Sequence, residues 1–545
     1  MTKLRNNDGS PLHRAVPELA ERVRRGAIDR RSFLRTVSLL GVSVASAKAF
    51  LAGAEGGLGF SPRPALAQEP KRGGTFRMAM QTQEITDPAN YNWIEASDIT
   101  RNIIEFLTLV DEQNVTHPYL AASWTPSDDL KVWSFKLQPN VKWSNGDDFT
   151  TEDVEYNFKR WLNPNSKSVN RTQFAGIEFE KTGPLDFKLH LPKPKLSTPE
   201  ELYAYTCSIV HRGFDEQGAN FQKNPIGTGP YSLAEFGIGK IAKVKRRDGY
   251  WGKAPYLDEI QFIDLGTDIS AHLAALAAGQ VDAVYRVTVN ELDLAKRLPN
   301  VQLVSVPSAM TVCLRMQVDQ KPFDDIRVRK AIVLAADNQK MLDLALRGQG
   351  LLGENFHVAS IQPEYFPLPP VKRDVAQAKQ LIQESGQAGK LNLEILVGNT
   401  QGRFEQDAAQ VLAQNLAEVG INLKLNVLPP AQYWPIWDKV PFGVTFWAHR
   451  PLGVMTLDLA YRSGAVWNET HFNNKDFDAA LDKAMGIVDP KERSKAMEPV
   501  EKILQDSAVM VQPFFVNKVT AVSNKVHGFK MHPAEYYNFF NVWMS

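Results

Sequence analysis

Residues Ala121 to Phe158 read AASWTPSDDLKVWSFKLQPNVKWSNGDDFTTEDVEYNF. Within this stretch Trp133, Phe135 and Leu137 alternate with polar residues. A period of two predicts a strand with one buried face and one wet face. The aspartate pair Asp128-Asp129 supplies turn-forming residues just before it. We therefore expect an antiparallel meander in this part of the chain.

The second half of the stretch predicts a turn and then a helix. Asn145-Gly146-Asp147 contains residue types that tolerate left-handed backbone, as tight turns require. Thr150 and Asp153 are three residues apart, the spacing of a capping box at a helix start. The helix is predicted to run to Leu162, where Asn163-Pro164 stops it.

The residue identities in this stretch resemble the signature of the family 5 extracytoplasmic solute-binding proteins, the receptors of ABC importers for peptides, nickel complexes and related solutes. That signature reads A-x-S-W-x-x-S-D-D, then W-x-F-x-L-x-x-x-V-K-W-x-x-G, then T-x-E-D-V. It is filled from Ala121 to Val154, with Gln138 in place of the usual Arg. The family boxes N-P-x-G-T-G-P-Y and P-F-D-D-x-R-V-R-x-A resemble Asn224–Tyr231 and Pro322–Ala331. Together the matching boxes span about residues 73 to 540 in the family's order.

The resemblance implies an α/β, periplasmic binding protein-like fold of two lobes with a hinge, in which closure buries a small solute. It also implies a subdomain inserted in the first lobe. The predicted division is a signal peptide over 1–67, lobe I over 68–307 with its insertion at about 111–192, lobe II over 308–510, and a return to lobe I over 511–545. Along the chain, Ala96 to Val110 predicts a helix.

The N-terminal segment has the order of an export signal. The basic run Asp29–Arg35 contains the pair Arg30-Arg31 and precedes a weakly apolar run, Thr36 to Ala47; an A-x-A site ends at Ala67. Paired arginines in this setting are typical of a twin-arginine signal. Cleavage after Ala67 would leave 478 residues. We therefore expect the Tat export machinery as a partner and a soluble periplasmic product.

Composition agrees with a globular receptor and disfavours nucleic-acid binding. The 545 residues suggest two to four domains. Residues 1–67 hold 11 basic and 5 acidic residues, so the remainder carries a net charge of −5. A mildly acidic body has no electrostatic footprint for nucleic acid. The two cysteines, Cys207 and Cys313, are either a pair or two buried thiols. We expect a monomer.

Catalytic motifs are absent from the sequence. It contains no G-x-S-x-G, no H-E-x-x-H, no Walker loop and no clustered His/Cys spacing. We therefore expect no enzyme activity, no cofactor and no metal. Two alternatives stay open: a nickel or haem carrier on the same fold, with His449 as thin support, and a secreted hydrolase, which would need a nucleophile or metal constellation.

The expected ligand site centres on Phe446–Pro451. The resemblance implies that Trp447 stacks over ligand and that a following Asp, in a W-x-x-D arrangement, receives a peptide's ammonium group. Arg450 stands about where that Asp would be. A guanidinium binds carboxylate or phosphate in a bidentate fork and repels ammonium. The sequence thus favours a carboxylate-bearing solute, such as a modified amino acid, an opine-like compound or a sugar acid, over a standard short peptide.

Further candidate ligand contacts surround this segment. Arg315 is a possible second anion contact, or alternatively part of an ion pair at the surface or between domains. Aromatic side chains suit stacking on sugar or amide faces, although core packing accounts for at least half of them. The remaining candidates are His449, Trp434, Tyr433, Trp93 and Tyr91, with Trp437 and Trp467 nearby in sequence.

Overall fold

The computed structural model describes residues 12–54 and 69–545. The described chain divides into two compact units. Unit 1 contains the described residues up to Ser305, together with Val488–Pro490 and Val519–Ser545. Unit 2 contains Val306–Ile487 and Lys491–Lys518. The predicted cleavage site at Pro64 to Ala67 lies outside the described residues.

The helices are numbered in chain order. They are α1 Ala15–Arg24, α2 Arg30–Leu39, α3 Val44–Ala54, α4 Ile94–Thr100, α5 Thr151–Leu162, α6 Asn170–Gln173, α7 Thr198–Glu201, α8 Ile269–Ala277, α9 Leu292–Ala295, α10 Ile326–Ala335, α11 Asn338–Ala345, α12 Val375–Glu384, α13 Phe404–Ala417, α14 Pro430–Tyr433, α15 Gly453–Ala460, α16 Lys475–Met485 and α17 Pro490–Ser507. A short 3-10 turn covers Pro88–Asn90.

The strands are numbered in the same way. They are β1 Thr75–Ala79, β2 Thr108–Val110, β3 Thr116–Pro118, β4 Ala121–Pro126, β5 Val132–Leu137, β6 Glu178–Lys181, β7 Asp186–His190, β8 Tyr231–Gly237, β9 Ile241–Arg246, β10 Glu259–Ile263, β11 Ala283–Val284, β12 Val301–Val306, β13 Thr311–Met316, β14 Gly350–Leu352, β15 Asn392–Val397, β16 Asn422–Val427, β17 Phe442–Trp447, β18 Met510–Val511, β19 Phe514–Val516, β20 Lys518–Ser523, β21 Val526–His527 and β22 Trp543–Met544.

Unit 1 is built on a seven-stranded sheet in the order β12-β20-β11-β1-β10-β9-β8. Strand β1 lies parallel to both of its neighbours, β10 and β11. Helix α8 connects β10 to β11, so this part is a parallel crossover, as strand–helix–strand order predicts. Leu273 and Leu276 of α8 are buried in the core beneath β11.

The signature stretch supplies β4 and β5 of the four-stranded antiparallel sheet β4-β5-β7-β6 of unit 1, called the signature sheet. The predicted alternation is present on β5, where Trp133, Phe135 and Leu137 are buried. Helix α5 starts with the predicted capping box between Thr150 and Asp153 and ends at Leu162. The local predictions for this stretch are confirmed because the residues that decide them are neighbours in sequence.

The helix predicted over Ala96 to Val110 is wrong in length. Helix α4 ends at Thr100, and the last residues of the predicted helix form strand β2. The carbonyls of Asn102 and Ile103 accept hydrogen bonds from the amides of Tyr231 (3.1 Å) and Gly229 (2.8 Å). A Cβ on Gly229 would lie 2.7 Å from both carbonyl oxygens, so only glycine permits this approach. A distant segment therefore takes the carbonyls that would have continued the helix.

Unit 2 contains a second seven-stranded sheet, in the order β14-β19-β13-β17-β15-β16 with β18 also paired to β13. Strands β15 and β16 are parallel and are connected by α13. The chain returns to unit 1 at Val519, later than the predicted residue 511, because β19 still pairs with β13 and β14. Strands β13 and β17 are buried throughout, so they form a rigid base for side chains at their ends.

Two sequence questions are answered by the described residues. Cys207 and Cys313 are both buried, one in each unit, and no disulfide joins them. In the described residues no helix is long and apolar enough to cross a membrane.

Candidate functional site

The centre of the candidate site lies on the antiparallel pair β13 and β17. Their register places Arg315 opposite Gly443, and Cys313 opposite Thr445. Residues two apart on a strand share a face, so Thr445 and Trp447 lie on the same side as Arg315. A Cβ on Gly443 would come within 3.0 Å of the Arg315 guanidinium. Glycine at this position leaves the space into which the arginine side chain extends.

A buried glutamate joins these side chains. The Glu469 carboxylate accepts hydrogen bonds from Arg315 Nε (2.6 Å), Thr445 Oγ1 (2.5 Å) and the Trp447 indole (2.7 Å). Burial raises the pKa of Glu469, and the Arg315 guanidinium opposes that shift. Three donors on a buried carboxylate hold it, and the Trp447 ring, in one orientation.

Arg315 does not have the role of a second anion contact. Its side chain is 0% exposed. Besides the Glu469 contact, its two terminal nitrogens donate to the backbone carbonyls of Val440 and Trp437. All three guanidinium nitrogens are therefore engaged inside unit 2. The geometry matches the alternative that Arg315 belongs to an ion pair. The pair with Glu469 lies inside unit 2, neither at the surface nor between domains.

Four tryptophans gather next to this ion pair and are called the tryptophan group: Trp434, Trp437, Trp447 and Trp467. Trp437 lies at the centre, with ring centroids 6.2 to 6.3 Å from the other three members. Trp447 and Trp467 are 6.0 Å apart. All four contacts are edge-to-face. Trp447 is buried, whereas the other three are partly exposed.

Tyr433 belongs to the core rather than to this surface. Its side chain is fully buried, and a Cβ on Gly398 would lie 2.6 Å from its ring. Its hydroxyl is 3.5 Å from Thr445 Oγ1. Burial raises the pKa of Tyr433. Tyr433 is therefore one of the aromatic residues that fill the core, the alternative to ligand stacking that the sequence leaves open.

His449 and Arg450 follow directly after β17. The buried His449 accepts a hydrogen bond from the Ala309 amide at Nδ1 (2.9 Å). That contact places the hydrogen of a neutral ring on Nε2. Arg450 is held through its backbone, since its carbonyl accepts from Gln362 Nε2 (2.8 Å). Its side chain is also buried, and Nη1 donates to the carbonyl of His449 (3.3 Å).

Two buried side chains behind Trp447 were not predicted from sequence. His357 packs edge-on against Trp447 with ring centroids 5.6 Å apart, and its Nδ1 is 2.8 Å from the Tyr461 hydroxyl. Burial lowers the pKa of His357 to about 3, so the ring is neutral near pH 7. Glu469 was also missed. A carboxylate two residues after a tryptophan is too common a pattern to indicate its buried partners.

The remaining predicted contacts, Tyr91 and Trp93, lie in unit 1. Tyr91 is buried, and burial raises its pKa. Trp93 is partly exposed and occupies the position just before helix α4. Glu95 in the first turn of α4 forms an ion pair with Arg286. The structure thus assigns Trp93 to a surface position and Tyr91 to the interior of unit 1.

Metal ligation finds no support in these positions. Within residues 12–54 and 69–545, no group of three or more His, Cys, Asp or Glu side chains is arranged to hold an ion. The described site is instead aromatic, and its one buried carboxylate is paired with Arg315. Such a lining suits an organic solute with planar or aliphatic faces.

Two α/β units with an aromatic surface on rigid strands define a binding protein. The sequence profile of the bacterial extracellular solute-binding proteins, family 5, matches residues 115–459, more than half of the chain. The chain belongs to this family, and the predicted resemblance is confirmed. It is accordingly a solute-binding receptor of an ABC importer.

Known relatives agree with this assignment. The chain is 26% identical over 482 residues to the glutathione-binding protein GsiB of Salmonella paratyphi A, covering 83% of this chain and 91% of that protein. Among solved structures, AgaA of A. tumefaciens R10, in complex with agropinic acid, has a TM-score of 0.78 at 23% identity, covering 87% of this chain and 99% of the other. The oligopeptide-binding AppA of Bacillus subtilis, in complex with a nonapeptide, has a TM-score of 0.76 at 22% identity, with 88% and 100% covered. The predicted periplasmic binding protein-like fold is therefore confirmed.

Proposed function

We propose that this receptor captures a carboxylate-bearing solute, such as a modified amino acid, an opine-like compound or a sugar acid, on the tryptophan group of unit 2, with a short peptide as the alternative ligand. It then delivers the solute unchanged to the permease subunits of its importer. Binding and release, without covalent chemistry, make up the whole cycle in this proposal.

The observation that carries the proposal is the contrast between buried and exposed members of the tryptophan group. The Glu469 carboxylate holds Trp447 through its indole hydrogen (2.7 Å). Trp437 and Trp467 pack against this fixed ring and keep part of their surface exposed. Preorganised aromatic faces bind a solute at a low cost in conformational entropy. These two rings are the proposed stacking surface.

Arg450 is the proposed partner of the ligand's carboxylate. It follows β17 directly and is anchored through its backbone to Gln362. A guanidinium that meets a carboxylate in a desolvated site forms a strong, directional contact. The names of two similar proteins, glutathione-binding GsiB and AgaA with agropinic acid, both refer to acids, and this supports the choice.

The test is substitution of Arg450 with calorimetric titration. Glutathione and agropinic acid serve as probes, because the natural ligand is not identified. Arg450→Ala should weaken binding of the acid that wild type binds by tenfold or more, corresponding to about 1.4 kcal/mol or more. The matched control is Arg327→Ala, which removes an exposed arginine of the same unit. Wild-type affinity in Arg450→Ala would refute the carboxylate contact.

We further propose that the protein reaches the periplasm through the Tat machinery, loses residues 1–67 and acts there as a monomer. The support is the basic run Asp29–Arg35 with its arginine pair, and the A-x-A site ending at Ala67. Intact-mass measurement of the periplasmic protein should give the 478-residue product starting at Gln68. Full-length protein in that compartment would contradict the cleavage proposal.

A further inference from the structure

The N-terminal helices lie on unit 1 as a packed layer. Helix α2 contacts strand β3 and helix α7 of unit 1, and α1 and α3 pack against α2. Phe33, Val37 and Leu40 are at most 1% exposed. The apolar side of the predicted export segment is therefore buried on the folded protein.

Specific polar contacts hold this layer in register with the signature sheet. The Trp124 indole donates to the carbonyl of Leu39 (2.9 Å). Arg35 Nε donates to the carbonyl of Gln113 (2.9 Å). Trp124 is one of the signature residues, so a residue that identifies the family also binds the segment that precedes the body.

The contact is also sterically close at one glycine. Gly41 has φ of +86°, and a Cβ there would lie 2.0 Å from the backbone oxygen of Trp124. Gly26 has a similar φ of +69°, but a Cβ there would meet nothing within 4 Å. Both glycines therefore have a left-handed backbone, but only Gly41 lies against the backbone of Trp124.

A second attachment lies at the other end of the layer. Arg22 of α1 forms a 2.8 Å ion pair with Asp489 of unit 1, and both side chains are largely buried. A partly buried pair is less screened by salt than a surface pair. The helical layer is thus bound to unit 1 at two places far apart in sequence.

The arginine pair itself faces solvent. Arg30 and Arg31 are exposed at the start of α2, where Asp29 caps the helix by accepting from the Ser32 amide (2.9 Å). One side of α2 is therefore buried against the protein, while the charged start of the helix remains accessible.

We propose that unit 1 carries a docking surface for the chain's own export segment, centred on Trp124 and Gln113. Docking keeps the apolar side of the segment away from lipid while both arginines stay displayed. Because the surface is made by the signature sheet and its neighbours, it exists only when unit 1 has folded. The inference rests on the proposed export role of the segment.

The test uses the full-length precursor and two glycine variants, Gly41→Ala and Gly26→Ala. Hydrogen exchange is measured at amides 33–41, and flotation is measured with vesicles of phosphatidylethanolamine and phosphatidylglycerol. Gly41→Ala should speed exchange about tenfold or more and increase vesicle binding severalfold. Gly26→Ala should match wild type in both measurements. Arg35→Ala, a milder change, should shift both measurements in the same direction as Gly41→Ala.

Equal exchange and equal vesicle binding in wild type and Gly41→Ala would overturn the docking proposal. So would wild-type amides 33–41 that exchange at the rate of an unfolded peptide. Failure of the export role is distinguishable, because it appears in cells as unprocessed precursor, whatever the exchange rates show.

Discussion

Two groups of tryptophans in this molecule differ in burial and in where along the chain their partners lie. In the signature sheet of unit 1, Trp133 is fully buried and its indole donates to the backbone of Leu130 (3.2 Å), three residues away. In the tryptophan group of unit 2, Trp437 and Trp467 are partly exposed, and the Trp437 carbonyl accepts from Arg315, 122 residues away. The residue type is the same in both places. Burial and the sequence distance of the partners separate the scaffold tryptophan from the proposed stacking surface.

The first way to test this comparison is to remove a scaffold tryptophan. Trp133→Ala should lower the free energy of unfolding by about 3–5 kcal/mol, because it leaves a cavity in a sheet core. The binding constant of the protein that remains folded should be unchanged. Lys136→Ala, on the exposed face of the same strand, should change stability by about 0.5 kcal/mol or less. Chemical denaturation with parallel titration measures both quantities, and a stable Trp133→Ala with weakened binding would reverse the assigned roles.

A pH experiment sharpens the same contrast between two buried glutamates of unit 2. Glu469 has three donors, whereas burial raises the pKa of Glu501 to about 9, with only the amide of Phe366 opposing at 3.3 Å. The Glu501 carboxyl keeps its proton in the folded state at a pH where the unfolded state is already ionised. The free energy of unfolding therefore falls as pH rises from about 4.5 to about 9. Glu501→Gln should therefore stabilise the protein by on the order of 2 kcal/mol at pH 7, and by little at pH 4.

The control for this experiment is Glu498→Gln, on the exposed side of the same helix α17. It should leave the pH dependence of the melting temperature as in wild type. If Glu501→Gln is instead no more stable than wild type at pH 8, then Glu501 is ionised in the folded protein, and burial does not raise its pKa to about 9.

Substitution of a partly exposed member of the tryptophan group should have the smallest effect on stability and a direct effect on ligand binding. Trp467→Ala should cost about 1 kcal/mol of stability or less, since part of the ring is already exposed. Its affinity for the bound acid should fall about tenfold or more, because the stacking face is lost. Titration calorimetry compares it with Trp434→Ala, at the edge of the group, which should lose less. Equal losses in both variants would show that Trp467 has no special place in the site.

The same distinction explains what the sequence predicts well. The alternation on β5 and the capping box of α5 depend on residues within a few positions of each other, so local rules identify them. The end of α4 depends on Gly229 and Tyr231, more than 120 residues further along, and the predicted helix is accordingly too long. Long-range hydrogen bonds leave no periodic signal in the residues that accept them.

The site shows the same limit. The family pattern indicates Trp447 and Arg450; Trp447 is the last residue of β17, and Arg450 lies three residues beyond it. The pairing of Arg315 with Glu469 spans 154 residues and requires the register of two strands and a glycine opposite the arginine. From the sequence alone Arg315 is therefore compatible with an anion contact, although its partner is the internal carboxylate of Glu469. Tyr433 was likewise selected as an aromatic, and its burial became evident only from the packing around Gly398.

The most direct test of the receptor account is mass spectrometry of the protein purified from the periplasm, first native and then denatured. The account predicts a native mass that exceeds the denatured mass by one small organic acid, which is released on denaturation and rebinds in titration. A smaller fraction of Trp467→Ala and of Arg450→Ala should carry the adduct, because each variant is expected to bind the acid about tenfold more weakly or worse. Release of a metal ion or haem instead of an organic acid would contradict the account. So would an adduct that both variants retain at the wild-type level.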